Sequence, residues 1–363
     1  MTDIYQQILN KINKRAGNQV AYNLLEPSPT ETTEFISTGS GWLDRIIKRG
    51  GMGGIPIRKV VELAGLESTG KSYMAAQIAG NAQKMSNPMM VVYFDSESSL
   101  DAAFLTEAGC DISKIIYVQA KSVEFVLETI EDLLTDGERF LFVWDSLAMT
   151  PTESDLAGDY DPQSSMAFKA RVLSKGLPKV TLPIANKDST LLIINQLKTN
   201  ISRNPMDMLV EPYFTPGGKA LLYAYSLRIW LTRPKAKASF LTNERGERIG
   251  NTVKALIKKS RFGREGRQCI FKILWGGETV GICDEESWLD AILGSPALDS
   301  GGSWLTLDKT VKFQRAHWMS KLQEPEFRAR ILQIMDEELI HKVAMAPKDA
   351  EETIPEKPAK KKK

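Results

Sequence analysis

The chain has 363 residues, 42% of them hydrophobic and 25% charged, with a formal net charge of +2. That composition excludes a disordered or fibrous protein, and the length implies one large core with appended pieces, or two domains. Near-neutrality means that any affinity for a polyanion must come from charge placement, and the absence of an 18-residue apolar run or a leader-like N-terminus excludes an obvious membrane span or secretion signal.

Along the chain, Ile4, Ile8, Leu9 and Ile12 recur at helical spacing and predict a short amphipathic helix over 4–15. A linker rich in Pro, Thr and Glu follows, and the core begins near residue 35. From there apolar strand-like runs alternate with helical stretches: KVVELAG, MAAQIAGNAQKM, MVVYFD, a helix over about 122–134, then FLFVWD and LLIINQ. Such alternation predicts a parallel sheet covered by helices. The runs YSLRIWL, VKALIKK and CIFKILW are spaced more like hairpins, which predicts a mixed edge. After about residue 284 the pattern turns to helices around SWLDAIL and EPEFRARILQIMDEELIHKV. The expected division is 1–34 as helix and linker, 35–284 as an α/β core, 285–346 as a small C-terminal domain, and 347–363 as a flexible basic tail.

Three cysteines, Cys110, Cys269 and Cys283, are odd in number and far apart, as in a reduced intracellular chain. Two histidines, His317 and His341, with no CxxC and no HExxH, leave a zinc site almost without ligands. The chemistry instead gathers at Gly65-Leu66-Glu67-Ser68-Thr69-Gly70-Lys71-Ser72, a full match to G-x-x-x-x-G-K-[ST] between a strand and a helix that opens with Tyr73. Glycines at this spacing let backbone N–H groups curl around phosphates, Lys71 reaches the β and γ oxygens of ATP, and the Ser72 hydroxyl ligates Mg²⁺. Phe140–Asp145 is an apolar strand delivering a carboxylate to the carboxyl edge of the sheet, so Asp145 is the expected second Mg²⁺ ligand, with Ser146 supporting it. A helix cap is the alternative role for Asp145. The sequence Asp95-Ser96-Glu97 ends another strand at the same edge, and Glu97 is either the base that activates water or, with Asp95, a cap for the helix near Leu100.

Taken in order and spacing, FISTGSGWLD, VVELAGLESTGKS, DSESSLD, FVWDSLA, LLIINQ and TPGGKAL resemble the bacterial RecA family over roughly residues 35–275. The resemblance implies a RecA-type P-loop fold, an ATPase that forms helical filaments on single-stranded DNA, and strand exchange with homologous double-stranded DNA. It assigns the catalytic glutamate to Glu97, adenine contacts to Asp101 and Phe104, and γ-phosphate sensing to Gln196. Residues 1–34 would serve subunit polymerisation. A first DNA-binding loop would lie near 153–166 and a second over 197–216, with Arg171, Gly217, Gly218 and Lys219 at the DNA. Where many members carry a second arginine after the first loop, this chain has Pro178 and Lys179. Lys259 and Arg261 match the two cations that reach a neighbouring subunit's γ-phosphate. Arg261 and the segment KFQRAHWMSKLQEPEFRARILQIMDEE are more similar to phage recombinases of the UvsX type, which implies action in a host cytoplasm. PAKKKK departs from the acidic tail of bacterial members.

Residues 228–272 hold 13 Lys and Arg against 3 Glu, a clustering that suits phosphate neutralisation and equally suits charged sheet edges. Single-strand-binding and mediator proteins are the further partners expected. A hexameric motor sharing the same core, or an ATP-gated mediator without exchange activity, are the rival functions.

Overall fold

The computed structural model describes residues 2–25, 31–98, 100–158, 162–200, 211–234, 239–275 and 280–342. The expected basic tail, residues 201–210 of the expected second loop, and 159–161 of the first lie outside the described residues.

Thr2–Ala16 forms α1, whose Ile4, Tyr5, Ile8 and Ile12 are all exposed. Phe35–Ile36 (β1) pairs antiparallel with Ile55–Pro56 (β2) around the helix Gly41–Ile47 (α2). Val60–Gly65 (β3) leads into Lys71–Gln83 (α3), and Met90–Asp95 (β4) into Ala102–Glu107 (α4). Ile115–Gln119 (β5), Val123–Leu133 (α5) and Phe140–Asp145 (β6) follow. Glu153–Ala157 (α6) and the long helix Pro162–Asn186 (α7) then lead to Thr190–Gln196 (β7). Next come the hairpin Lys198–Thr199 (β8) and Tyr213–Phe214 (β9), the helix Lys219–Ala224 (α8), and Leu227–Thr232 (β10). Phe240–Thr242 (β11), Arg248–Ser260 (β12), Gln268–Leu274 (β13) and Gly281–Cys283 (β14) complete the main sheet.

The strand order is β14-β13-β12-β10-β3-β7-β6-β4-β5, with β11 on β12. Strands β10, β3, β7, β6, β4 and β5 are parallel, and β12 to β14 add an antiparallel edge. The expected mixed edge is therefore present, although β10 itself runs parallel to β3 and only turns antiparallel toward β12. Apolar runs such as VVELAG and FLFVWD are buried on both faces: one face packs on α2 and α3, the other on α5, α7 and α8. Much of the first expected DNA-binding loop is helical, since α6 carries its own capping box of Thr152 and Asp155 and α7 already begins at Pro162.

Beyond β14, a separate apolar cluster of Trp288, Phe313, Trp318, Phe327 and Ile331 forms a second core. The helices expected around SWLDAIL and EPEFRARILQIMDEELIHKV form at Trp288–Ile292 and Pro325–Asp336, and between them Leu298–Gly301, Trp304–Leu307 and Val311–Gln314 add a three-stranded antiparallel sheet that was not expected. These strands are four residues each, too short for their alternation to stand out. This unit is fastened to α2: Arg45 donates to Asp336 at 2.7 Å, and Asp284 accepts from Ser40 and the Trp42 amide, each at 2.8 Å. The buried Asp44 carboxylate accepts from Ser37, Thr38 Oγ1 and the Thr38 amide, which ties the turn before α2. Burial, more than the neighbouring Asp284, pushes its pKa up to about 6 against those stabilising bonds.

A carboxyl whose pKa is higher folded than unfolded binds a proton in the native state first, so its contribution to stability declines as pH rises between about 4 and 6. Denaturant titrations of the wild type and Asp44→Asn at pH 4 and 7 should show wild-type stability falling relative to the variant by up to roughly 3 kcal/mol.

Candidate functional site

The parallel strands deliver their carboxyl ends to one edge of the sheet, and four of those ends line a cavity of about 490 Å³. Its walls are Glu67, Ser68, Lys71, Ser72, Glu97, Asp145, Ser146, Gln196 and Leu197, contributed by β3, β4, β6, β7 and the loops that follow them. A larger cleft of about 840 Å³ between β11–β14 and the C-terminal unit brings together Lys272, Arg328 and three acidic residues, and lacks a phosphate-cradling turn.

The turn after β3 is shaped by its glycines. A Cβ on Gly65 would stand 2.5 Å from Thr69 Oγ1, and Gly70 adopts φ +79° with Ile273 Cδ1 2.5 Å from where its Cβ would be. Leu66 O accepts from both Thr69 Oγ1 at 2.8 Å and Lys71 Nζ at 2.9 Å, folding the loop onto itself. Helix α3 then begins with Met74 N donating to Gly70 O. Burial lowers the Lys71 pKa, opposed by Asp145, Glu97 and Glu67, so the ammonium sits among three acids that favour its charge.

Asp145 does not cap a helix. Its carboxylate takes a bond from the Ser72 hydroxyl and one from Tyr93 at 3.3 Å, and burial pushes its pKa up to about 6. Ser72 and Asp145 thus present hard oxygens side by side next to Lys71. Among the described residues no group of three or more His, Cys, Asp or Glu could hold a metal ion. A cation here would draw on these two oxygens and on phosphate, as Mg²⁺ commonly does.

The two possible roles of the DSES segment separate cleanly. Buried Asp95 accepts from the Glu97 amide at 2.8 Å and the Leu100 amide at 3.0 Å, and Asp101 caps α4 through Ala103 N. Asp101 is thus the cap of α4, and Asp95 ties the turn that precedes it. The Glu97 carboxylate faces the cavity instead, where Ser146 Oγ donates to it at 3.0 Å. Ser96 and Ser146 stitch the ends of β4 and β6 together, with Ser146 N donating to Ser96 Oγ at 2.9 Å. Tyr73, Asp101 and Phe104 do not line the cavity; Tyr73 and Phe104 meet edge to face at 5.7 Å beside it.

Lys259 and Arg261 are remote from this cavity. Register sets Ser260 against Leu227 and Leu227 against Val61, which is four residues, or roughly 13 Å, back along the strand from Gly65. Lys259 Nζ donates to Leu222 O at 2.6 Å and Arg261 to Tyr223 O at 2.9 Å, at the carboxyl end of α8. Burial and the adjacent Arg261 lower the Lys259 pKa. The residues expected at DNA do gather: Gly217 and Gly218 take φ +113° and +85°, Lys219 opens α8, and a Cβ on Gly218 would stand 2.9 Å from Ala170, the neighbour of exposed Arg171. The basic stretch 228–272 is not one open face. Arg228 pairs with buried Glu62, Lys258 with Glu211 and Lys272 with Glu286, while Arg267 donates to backbone carbonyls of Ile46 and Leu339.

One residue without any motif signal supports the phosphate turn. Asn251 on β12 donates to Ser68 O at 2.7 Å, holding the non-glycine Ser68 at φ +55°, and Arg248 donates to Asn251 Oδ1 in turn. Asn251→Ala should weaken nucleotide binding about 5- to 30-fold, the equivalent of one buried bond of about 1–2 kcal/mol, with the circular dichroism spectrum preserved; titration with a fluorescent ATP analogue reads it directly.

Comparison with known proteins places this geometry. The family model described as the RecA N-terminal domain matches residues 3–281. A Protein RecA of Wolinella succinogenes is 33% identical over 298 residues, covering 82% of this chain and 80% of that protein. Those of Nitratiruptor sp. and Sulfurimonas denitrificans are 31% and 32% identical, over 82% and 76% of this chain and 81% and 75% of theirs.

Proposed function

The chain belongs to the RecA family of DNA-dependent ATPases, and on that premise we propose that it coats single-stranded DNA as a filament and promotes pairing and strand exchange with a homologous duplex in recombination and repair. The observation that carries this reading is the convergence of Lys71, Ser72, Glu97, Asp145 and Gln196 on one cavity, with Gln196 leading directly into the loop 197–216. ATP would place its phosphates in the glycine turn and against Lys71, and Mg²⁺ would be held by Ser72 and Asp145. When bound, the ion supplies charge neutralisation for phosphoryl transfer.

Glu97 is the group that orients and deprotonates water, because its carboxylate faces the cavity and is held there by the Ser146 hydroxyl. Lys259 and Arg261 act across the subunit interface. Their position at the amino edge of the sheet prevents them from serving their own subunit's nucleotide, and a neighbour's is within the logic of a filament. Assembly then switches hydrolysis on, as a cation supplied in trans does elsewhere. Exposed α1, with its apolar Ile4, Tyr5, Ile8 and Ile12, is the segment we assign to subunit contact. Arg171, Lys219 and the backbone at Gly217 and Gly218 hold DNA by its phosphates, so no sequence preference is expected. Arg261 and the segment after residue 312 support a phage-type member acting in a host cytoplasm; no helix among the described residues is long and apolar enough to cross a membrane.

ATP hydrolysis with and without homopolymer single-stranded DNA, followed across salt, tests the reading. Strong stimulation that fades steeply between about 50 and 300 mM salt is expected, and turnover indifferent to DNA would overturn it. Glu97→Gln should retain ATP binding and lose about 10²- to 10⁴-fold in turnover. Lys259→Ala and Arg261→Ala should each bind nucleotide normally and lose about 10³-fold of DNA-stimulated hydrolysis; impaired binding in either would sink the trans assignment.

A further inference from the structure

Strand β3 carries a carboxylate, Glu62, with no solvent exposure, between the fully buried Asn195 of β7 and the nearly buried Arg228 of β10. Arg228 Nε donates to Glu62 Oε2 at 2.6 Å, and Asn195 Nδ2 donates to Glu62 Oε1 at 3.2 Å. The same two residues reach outward. Arg228 donates through its second nitrogen to Thr215 Oγ1 at 3.0 Å, and Asn195 Nδ2 donates to Pro216 O at 3.0 Å. Asn195 Oδ1 accepts from the Gln196 amide at 2.9 Å. Both its amide protons are thereby used, one on the buried acid and one on the returning loop, while the oxygen holds the cavity residue.

The chain leaves the sheet at Gln196 and comes back at Thr215–Pro216, so one buried charge holds both ends of the segment between them. Strand β7 departs with Leu197 packed on Ala64 and Trp230, and Tyr213 packs on the same small cluster. An apolar pair would join three strands equally well, and often better, than an ion pair stripped of water. What an apolar pair cannot do is donate to Thr215, as Arg228 does, or accept from Asn195 and so hold the amide that reaches Pro216. The Arg228 guanidinium is also fixed over the rings of Tyr225 and Trp230, at 5.8 and 5.4 Å, which sets the plane of its fork.

We propose that Glu62, Asn195 and Arg228 are positioning residues that clamp the return end of the loop 197–216 to Gln196, so that a shift of Gln196 at the cavity moves both ends of the loop together. This rests on the reading of 197–216 as a DNA-binding loop. Displacing the Gln196 backbone pulls Asn195 Oδ1 with it, and the rotating amide must carry or release Pro216. Coupling of this kind is a ratio of affinities between two nucleotide states and not an affinity in either one.

The measurement is anisotropy of labelled oligothymidylate with the full-length chain, in a non-hydrolysable ATP analogue and in ADP. In the wild type the analogue should tighten DNA binding at least ten-fold over ADP. Asn195→Ala should bring that ratio close to one while the analogue's own affinity stays within three-fold. Arg228→Lys, which keeps the charge at Glu62 and loses the fork to Thr215, should give an intermediate ratio. Because single changes leave a charge buried and can unfold the core, the paired variant Glu62→Leu with Arg228→Met removes both charges and should fold with the ratio still collapsed. A ratio unchanged from wild type in Asn195→Ala or in the paired variant overturns the clamp. A wild-type ratio of one overturns the DNA-loop reading and the clamp with it, and so separates the two failures.

Discussion

Strand β3 takes hydrogen bonds from β7 on one side and β10 on the other, and all three run in the same direction. A strand in that position cannot slip or reverse without losing both ladders and exposing a face buried on each side. The turn that follows it is therefore held at a fixed height above the sheet. Leu66 N is bonded to Leu231 O and Leu197 N to Gly65 O, so both flanking strands grip the turn itself. The cavity exists because β4, β6 and β7 end at the same level, which brings Glu97, Asp145 and Gln196 within reach of Lys71 and Ser72.

Electrostatics at this edge are arranged by burial more than by pairing. Lys71 is desolvated but faces three carboxylates, whereas Asp145 is desolvated beside Glu97 and restrained by hydroxyls from Ser72 and Tyr93. Cations that look abundant in the sequence are largely committed elsewhere, to Glu62, Glu211, Glu286 and backbone carbonyls. The basic stretch thus stabilises the antiparallel edge and its junction with the C-terminal unit.

The phosphate turn, the strand ending in Asp145 and the parallel core were legible because each depends on residues adjacent in the chain. Glycines at fixed offsets, unbroken apolar runs and alternating helices are local signals, and local sterics enforce them. The sequence left Glu97 divided between base and cap, and it is Asp101, further along the chain, that caps α4. The three short strands over 298–314 were missed because four residues carry too little periodicity to outweigh the helical pattern on either side.

By itself the sequence determined that this chain builds a helix-covered parallel sheet with a P-loop, an acid at a neighbouring strand end and a second carboxylate nearby. Tertiary structure alone decided the rest: that Asn251 props Ser68 from 183 residues away, that Glu62 finds Arg228 across 166, and that Lys259 and Arg261 stand at the edge opposite their own phosphate turn. These pairings follow from strand order and register. Neither is written in any short stretch of residues, because each depends on which strands become neighbours when the two faces of the sheet are buried at once.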